Sequence, residues 1–149
     1  MYVKREINKQ LGELLKEWGL INDAQLVRAL THQKDKGGLI GEVLIELGYC
    51  KEEDIAQALT AQYGFPYLPL SSYEINKDAI LLIPARVARQ YLLIPIDKIG
   101  NNLTLAMSNP LNLQAIEDIE LSCGCTVQAF VSTSSDIKRA LVKYYPELA

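Results

Sequence analysis

Two glutamines occupy matching places in a stretch of the chain that is written twice. Residues 10–33 align with residues 39–62 at an offset of 29 positions, and nine positions are identical. A glutamine amide offers both a donor and an acceptor, so Gln33 and Gln62 can either bond to a loop carbonyl or read the edge of a nucleobase. The identical pairs are Gly12/Gly41, Glu13/Glu42, Leu15/Leu44, Glu17/Glu46, Gly19/Gly48, Ala29/Ala58, Leu30/Leu59, Thr31/Thr60 and Gln33/Gln62.

The glycines early in each copy are the second feature that suggests a site. Gly12 and Gly41 lie near the start of a predicted helix, where glycine costs roughly 0.5–1 kcal/mol relative to alanine. Either the glycines allow two helices to pack closely, or they let a ligand approach the backbone. The sequence leaves both interpretations open.

Residues that could support catalysis are sparse. None of the nine glycines is followed by lysine, which excludes a Gly-x-x-x-x-Gly-Lys phosphate loop. His32 is the only histidine, so a multi-histidine metal site is excluded and a solvated side chain is the favoured interpretation. The acidic clusters at residues 52–54 and 117–120 suit helix starts or polar faces. The sequence therefore predicts a protein without catalytic activity or bound metal.

Composition favours a globular protein of the cytoplasm. The chain has 149 residues, 49% of them hydrophobic and 22% charged, and a net charge of −3. No basic patch indicates DNA or RNA binding. Three cysteines without metal spacing favour reduced thiols, and no apolar run approaches the roughly 20 residues of a membrane span. We expect membrane association only through a partner.

Each copy of the repeat is predicted to form two short helices. Leu11, Leu14 and Leu15 recur at helical spacing, and Gly19 follows as the residue that ends the helix. Asn22 is then expected to cap the second helix. Two copies give a four-helix subdomain over residues 1–70, with motifs at residues 10–33 and 39–62.

The second half of the chain has a mixed pattern. Two short helical pieces interrupted at Pro84 precede predicted strands at residues 92–99, 103–107 and 126–131. A helix over residues 111–121 separates the last two strands, and Ser134 or Ser135 is expected to cap a final helix. The fold class is therefore predicted as α+β, with a helical subdomain followed by a subdomain of about three strands and packed helices over residues 71–149.

The repeat resembles the tandem motif of MshEN-type domains, the N-terminal domains of assembly ATPases of type II secretion and type IV pili (the GspE/PilB family). The family pattern runs Arg-Leu-Gly, then Leu, Gly, Leu, Leu and Gln, twice, with a five-residue spacer, here residues 34–38. The runs LLIPARVARQYLLIPI and LTLAMSNPLNL and the closing helix resemble the second half of the same domain. Gln10 and Leu39 stand where the ligand-binding pattern has Arg, and Asn109 stands where it commonly has Asp.

The resemblance implies a regulatory domain that binds cyclic di-GMP, with leucines against the purine faces and the glutamines at the base edges. Its partner would be a secretion or pilus ATPase domain. The alternative is a ligand-free docking domain that binds an inner-membrane assembly protein. The implied contacts are Gln10, Leu11, Gly12, Leu15, Gly19, Leu26, Leu30 and Gln33 in the first copy, Leu39, Ile40, Gly41, Leu44, Gly48, Ile55, Leu59 and Gln62 in the second, and Asn109.

Overall fold

A computed structural model gives the structure of the chain and describes residues 11–148, without the side chain of residue 148. Over these residues the chain forms eight α-helices and one three-stranded sheet. The α+β fold class is thereby confirmed. The elements are α1 (residues 11–17), α2 (Asp23–Lys36), α3 (Ile40–Glu46), α4 (Glu52–Tyr63), α5 (Lys77–Ile80), α6 (Ala85–Tyr91), β1 (Leu93–Ile99), β2 (Asn102–Met107), α7 (Leu113–Cys123), β3 (Thr126–Val131) and α8 (Ser134–Tyr144), with 3₁₀ turns at Leu70–Ser72 and Pro146–Leu148.

The chain divides into two compact units, Met1–Gly64 and Phe65–Ala149. The segment after Gly64 belongs with the second unit because it hydrogen-bonds to β3. Leu68 donates its N–H to the carbonyl of Val131 at 2.8 Å, and the Ser132 hydroxyl donates to the carbonyl of Leu68 at 2.7 Å. The first unit therefore ends at Gly64, a few residues before the boundary that the sequence predicts near residue 70.

In the first unit, each copy of the repeat is a helix pair, and both first helices end in the same way. Leu20 donates to the carbonyl of Leu15 at 3.0 Å, and Tyr49 donates to the carbonyl of Leu44 at 2.9 Å. The residue before each donor is a glycine with positive φ, 74° at Gly19 and 79° at Gly48. These are Schellman motifs, in which the left-handed glycine lets the last carbonyls find donors.

The second helices of the two copies begin differently. Asn22 accepts from the N–H of Gln25 at 2.8 Å, and the Gln25 side chain accepts from the N–H of Asn22 at 2.9 Å, which completes a capping box. In the second copy a lysine replaces the asparagine, so only half of this arrangement is possible. The Asp54 carboxylate accepts from the N–H of Lys51 at 3.0 Å.

The second unit is built on a sheet with strand order β1-β2-β3. β1 and β2 form the predicted antiparallel hairpin around Gly100, and β3 runs parallel to β2 after the crossover through α7. Pro84 is the N-cap of α6, so the interruption predicted there is confirmed. The N-cap of α8 is Thr133, whose hydroxyl accepts from the N–H of Asp136 at 3.2 Å, and this corrects the expectation of Ser134 or Ser135.

Candidate functional site

The motif glycines Gly12 and Gly41 are sites of close helix packing. A β-carbon on Gly12 would lie 2.7 Å from Cδ1 of Leu26, and one on Gly41 would lie 2.9 Å from Cγ2 of Ile55. Leu26 and Ile55 are equivalent positions of the repeat, so the same contact between the two helices is made twice. Of the two interpretations that the sequence left open, helix packing accounts for both glycines.

The two copies also contact each other at these glycines. Cδ2 of Leu11 lies 3.8 Å from the position of a β-carbon on Gly41. Leu11 is the second residue of the first motif and Gly41 is the third residue of the second, so the beginnings of the two motifs are adjacent. The first unit therefore places the beginnings of its two copies side by side.

Most of the apolar motif residues are interior. Leu30 and Leu39 are the exceptions. Leu39 is half-buried, and Leu30 is 39% exposed, whereas its counterpart Leu59 is 3% exposed. The exposed leucine can contact a ligand directly, and the interior residues position the helices on which the polar residues stand. The buried motif side chains are Leu11, Leu15, Leu26, Ile40, Leu44, Ile55 and Leu59.

The glycines that end the first helices are exposed. A β-carbon on Gly19 or Gly48 would have no heavy atom within 4 Å. Their positive φ is what the chain requires there, so their recurrence is explained by the helix ends. Their role as ligand contacts stays a prediction.

Gln33 is held by the loop between the copies. Its side-chain Nε2 donates to the carbonyl of Gly38 at 3.0 Å, and its backbone carbonyl accepts from the N–H of Gly37 at 2.7 Å. The predicted bond to a loop carbonyl is thus present. Sequence reasoning did not identify Gly38 as its partner, although the Gly37-Gly38 pair after α2 marks a loop that uses two successive positive φ values, 77° and 92°.

Gln62, the counterpart of Gln33, is in a different environment. It is exposed at the end of α4, and within the described residues its amide has no hydrogen bond. The second copy ends at a single Gly64 with φ 75°, whose N–H donates to the carbonyl of Thr60 at 3.0 Å. The two glutamines therefore differ in hydrogen bonding and exposure although they match in sequence.

Three further predicted site residues complete the set. Gln10 lies outside the described residues. Leu39 is the half-buried N-cap of α3 and makes no side-chain cap bond. Asn109 belongs to the second unit, where its side-chain oxygen accepts from the N–H of Leu111 at 3.3 Å in a local turn.

Positive charge is present on the outside of the first unit. Lys34 and Lys36 are exposed in the last turn of α2, beside Gln33. Lys16 instead pairs with Asp23, with 2.7 Å between Nζ and Oδ1, and this contact raises the pKa of the lysine and lowers the pKa of the aspartate. Lys34 and Lys36 make no such ion pair within the described residues and follow Gln33 closely in the chain.

His32 differs from the solvated side chain that the sequence favoured. It is half-buried, and its Nδ1 is shielded from solvent without a hydrogen-bond partner in the described part of the chain. Residues 11–148 hold no cluster of His, Cys, Asp and Glu suited to a metal, and none of their helices is long and apolar enough to cross a membrane.

The amino-acid sequence matches the MshEN domain family over residues 63–149, the part of the chain that follows the two copies. The chain is 33% identical over 138 residues to the type IV pilus assembly ATPase PilB of Myxococcus xanthus, covering 93% of this chain and 24% of that protein. It thus spans about a quarter of the length of this relative.

Two solved structures share the fold. A structure of MshE with cyclic di-GMP is 32% identical, with a TM-score of 0.78 over 91% of this chain and 98% of the other. The N-terminal domain of XpsE is 23% identical, with a TM-score of 0.81 over 92% and 94% of the two chains, and shows the fold alone.

The chain belongs to the MshEN domain family. Its relatives include ATPases of type IV pilus assembly and type II secretion, and it resembles the N-terminal domain of such proteins.

Proposed function

We propose that the first unit binds cyclic di-GMP across its two copies and that binding regulates an ATPase of a secretion or pilus machine. The observation that carries the proposal is the contact between the copies, where Leu11 of the first lies against Gly41 of the second. Cyclic di-GMP consists of two identical guanine nucleotides related by a two-fold axis. Two adjacent copies of one helix pair match that symmetry.

The exposed residues supply suitable chemistry for a guanine nucleotide. Leu30 offers an apolar surface to a purine face, and Gln33 and Gln62 offer amide groups to base edges. Lys34 and Lys36 supply positive charge for phosphates. Leu30, Gln33 and Gln62, with Lys34 and Lys36 at the phosphates, are therefore the direct contacts that we propose. The buried motif residues hold the helices in place.

The likeness to MshE supports the same conclusion. That protein was solved with cyclic di-GMP, and it aligns with 91% of this chain at 32% identity. Substitution of Arg by Gln10 and Leu39 removes the guanidinium that would otherwise contact a base or phosphate. We expect the remaining contacts to hold the ligand with an affinity in the micromolar range, about −8 kcal/mol.

Regulation would follow from linkage. A ligand that binds one arrangement of the domain and its ATPase more tightly than another shifts the population toward the first arrangement. The domain itself needs no catalytic residue for this role. The ligand can shift the free energy between the two arrangements by at most the difference between its two binding free energies.

Calorimetric titration of the chain with cyclic di-GMP tests the proposal, with cyclic di-AMP and GTP as controls for base and for charge. Saturable binding of one cyclic di-GMP, with at least ten-fold weaker binding of both controls, is the expected result. Equal binding of GTP would indicate a site for phosphate alone. Absence of heat, together with an unchanged Tm at millimolar ligand, would reject the proposal.

The second candidate function is a docking domain without a ligand. It is favoured by the close packing of Gly12 and Gly41, which explains two motif residues without any ligand. In this case the motif persists because it builds the helical scaffold, and the unit binds an inner-membrane assembly protein. The titration distinguishes the two functions, since a docking domain gives no response to cyclic di-GMP.

A further inference from the structure

The two copies differ near their C-terminal ends, where Leu30, Gln33 and Gln62 lie. The side chain of Gln33 is bonded to Gly38, whereas the exposed Gln62 has no hydrogen bond within residues 11–148. Leu30, one helical turn before Gln33, is 39% exposed, whereas Leu59, one turn before Gln62, is 3% exposed. Two independent features therefore distinguish the first copy from the second.

We infer that the candidate cyclic di-GMP site has unequal halves, with a first half formed before ligand binds and a second half that becomes ordered on binding. The inference rests on the proposed function. Gly38 is the positioning residue, because its carbonyl fixes the amide of Gln33. Leu30 and Gln33 then present an apolar surface and an oriented amide together.

The bond from Gln33 to Gly38 leaves part of the amide free. One Nε2–H is engaged with the Gly38 carbonyl, and the side-chain oxygen accepts no hydrogen bond from the described residues. A glutamine amide has two N–H donors and one carbonyl acceptor. The oxygen of Gln33 is thus available in a fixed place to accept from an N–H group of a base.

The loop itself is specified by its two glycines. Gly37 and Gly38 have φ values of 77° and 92°, which residues with a β-carbon rarely adopt. Gly37 also donates its N–H to the carbonyl of Gln33 at 2.7 Å. Residue 33 is therefore tied to the loop through both its backbone and its side chain, and the second copy lacks this glycine pair.

Order before binding has a consequence for affinity. Immobilising a mobile side chain on binding costs about 0.5–1.5 kcal/mol, which is roughly a two- to ten-fold loss of affinity. Gln62 bears this cost and Gln33 does not. Removing Gln33 should therefore weaken binding more than removing Gln62.

The experiment compares Gln33→Ala with Gln62→Ala in calorimetric titrations of the full chain with cyclic di-GMP. We expect Kd to rise by about two- to ten-fold more in Gln33→Ala than in Gln62→Ala. Equal losses, or a larger loss in Gln62→Ala, would overturn the inference while leaving the proposed function intact. Failure of the parent chain to bind would reject the proposed function itself and the inference with it.

A matched pair of variants separates positioning from general disruption of the loop. Gln33→Glu and Gln62→Glu add the same charge, but only the first places a carboxylate against the Gly38 carbonyl, to which it cannot donate. We expect Gln33→Glu to weaken binding more than Gln62→Glu, while urea unfolding shows that both variants remain folded. Equal weakening by the two would contradict a positioning role for Gly38.

A measurement on side-chain motion tests the inference without any ligand. Nitrogen-15 relaxation of glutamine side-chain amides, with peaks assigned by their loss in the two alanine variants, should show a rigid amide at Gln33 and a mobile one at Gln62. Addition of cyclic di-GMP should make Gln62 rigid and leave Gln33 unchanged. Equal mobility of the two amides in the free chain would overturn the inference.

Discussion

Gly12 lies so close to Leu26 that a β-carbon at this position would be 2.7 Å from Cδ1 of the leucine. Leu26 is buried, so it must shift within a packed interior to accept an alanine. Overpacking costs about 1–3 kcal/mol, and alanine recovers about 0.5–1 kcal/mol in helix propensity. We expect Gly12→Ala to lower the free energy of unfolding by about 1–2 kcal/mol, as measured by urea denaturation.

Two controls accompany this prediction. Gly41→Ala meets Ile55 at 2.9 Å and should cost a similar amount. Shortening the neighbour should relieve the contact, so Gly12→Ala combined with Leu26→Ala should be less destabilised than the sum of the single variants by about 1 kcal/mol. Additive effects would mean that the glycine is not explained by its contact with Leu26.

The hydroxyl of Ser132 ties the segment after the first unit to the sheet. Ser132 is 1% exposed and donates to the carbonyl of Leu68 at 2.7 Å. Ser132→Ala leaves that carbonyl without this donor, which costs about 1–3 kcal/mol. Thermal unfolding should show a lower Tm for Ser132→Ala, while Ser122→Ala on the exposed face of α7 should stay within about 0.5 kcal/mol of the parent.

Tyr145 makes stability depend on pH in the alkaline range. Its hydroxyl donates to the carbonyls of Ile83 and Ile80 at 2.9 and 3.2 Å, and burial raises the pKa of the phenol from 10.0 to about 12. Because the folded chain resists ionisation, this contribution is complete below the unfolded pKa and is lost as pH rises from about 10 through about 12.

Urea unfolding from pH 8 to pH 12 should therefore show a steeper loss of stability in the parent than in Tyr145→Phe. Burial also raises the pKa of the Cys50 thiol, from 9.0 to about 11. Its ionisation therefore lowers stability at alkaline pH in the parent and in Tyr145→Phe alike. The difference between the two curves isolates the tyrosine. Parallel curves would contradict the assigned role of its hydroxyl.

Features that depend on local backbone chemistry were predicted from the sequence. Gly19 and Gly124 end helices as expected, each with a positive φ, and Pro84 separates α5 from α6. The N-cap of α8 was placed one or two residues late, because Thr133, Ser134 and Ser135 can all cap a helix. A run of equivalent side chains does not reveal which hydroxyl meets a free N–H.

Features that depend on distant partners were not predictable. The segment after Gly64 joins the second unit through hydrogen bonds to β3, more than sixty residues away in the chain. The sequence likewise gives Leu30 and Leu59 the same place in the repeat, although only the first is exposed. Periodicity identifies the apolar face of a helix but not which part of that face is covered.

The pair Leu30 and Leu59 gives a prediction that separates binding from folding. Leu59→Ala removes a side chain that is 3% exposed and should cost about 2–5 kcal/mol of stability. Leu30 is 39% exposed, so Leu30→Ala should cost at most about 1 kcal/mol of stability. If Leu30 covers a purine face, its loss should weaken cyclic di-GMP binding by about 1 kcal/mol, or roughly five-fold in Kd. Urea denaturation and titration on the same samples measure both effects. An unchanged Kd in a fully folded Leu30→Ala variant would show that the ligand does not contact this leucine.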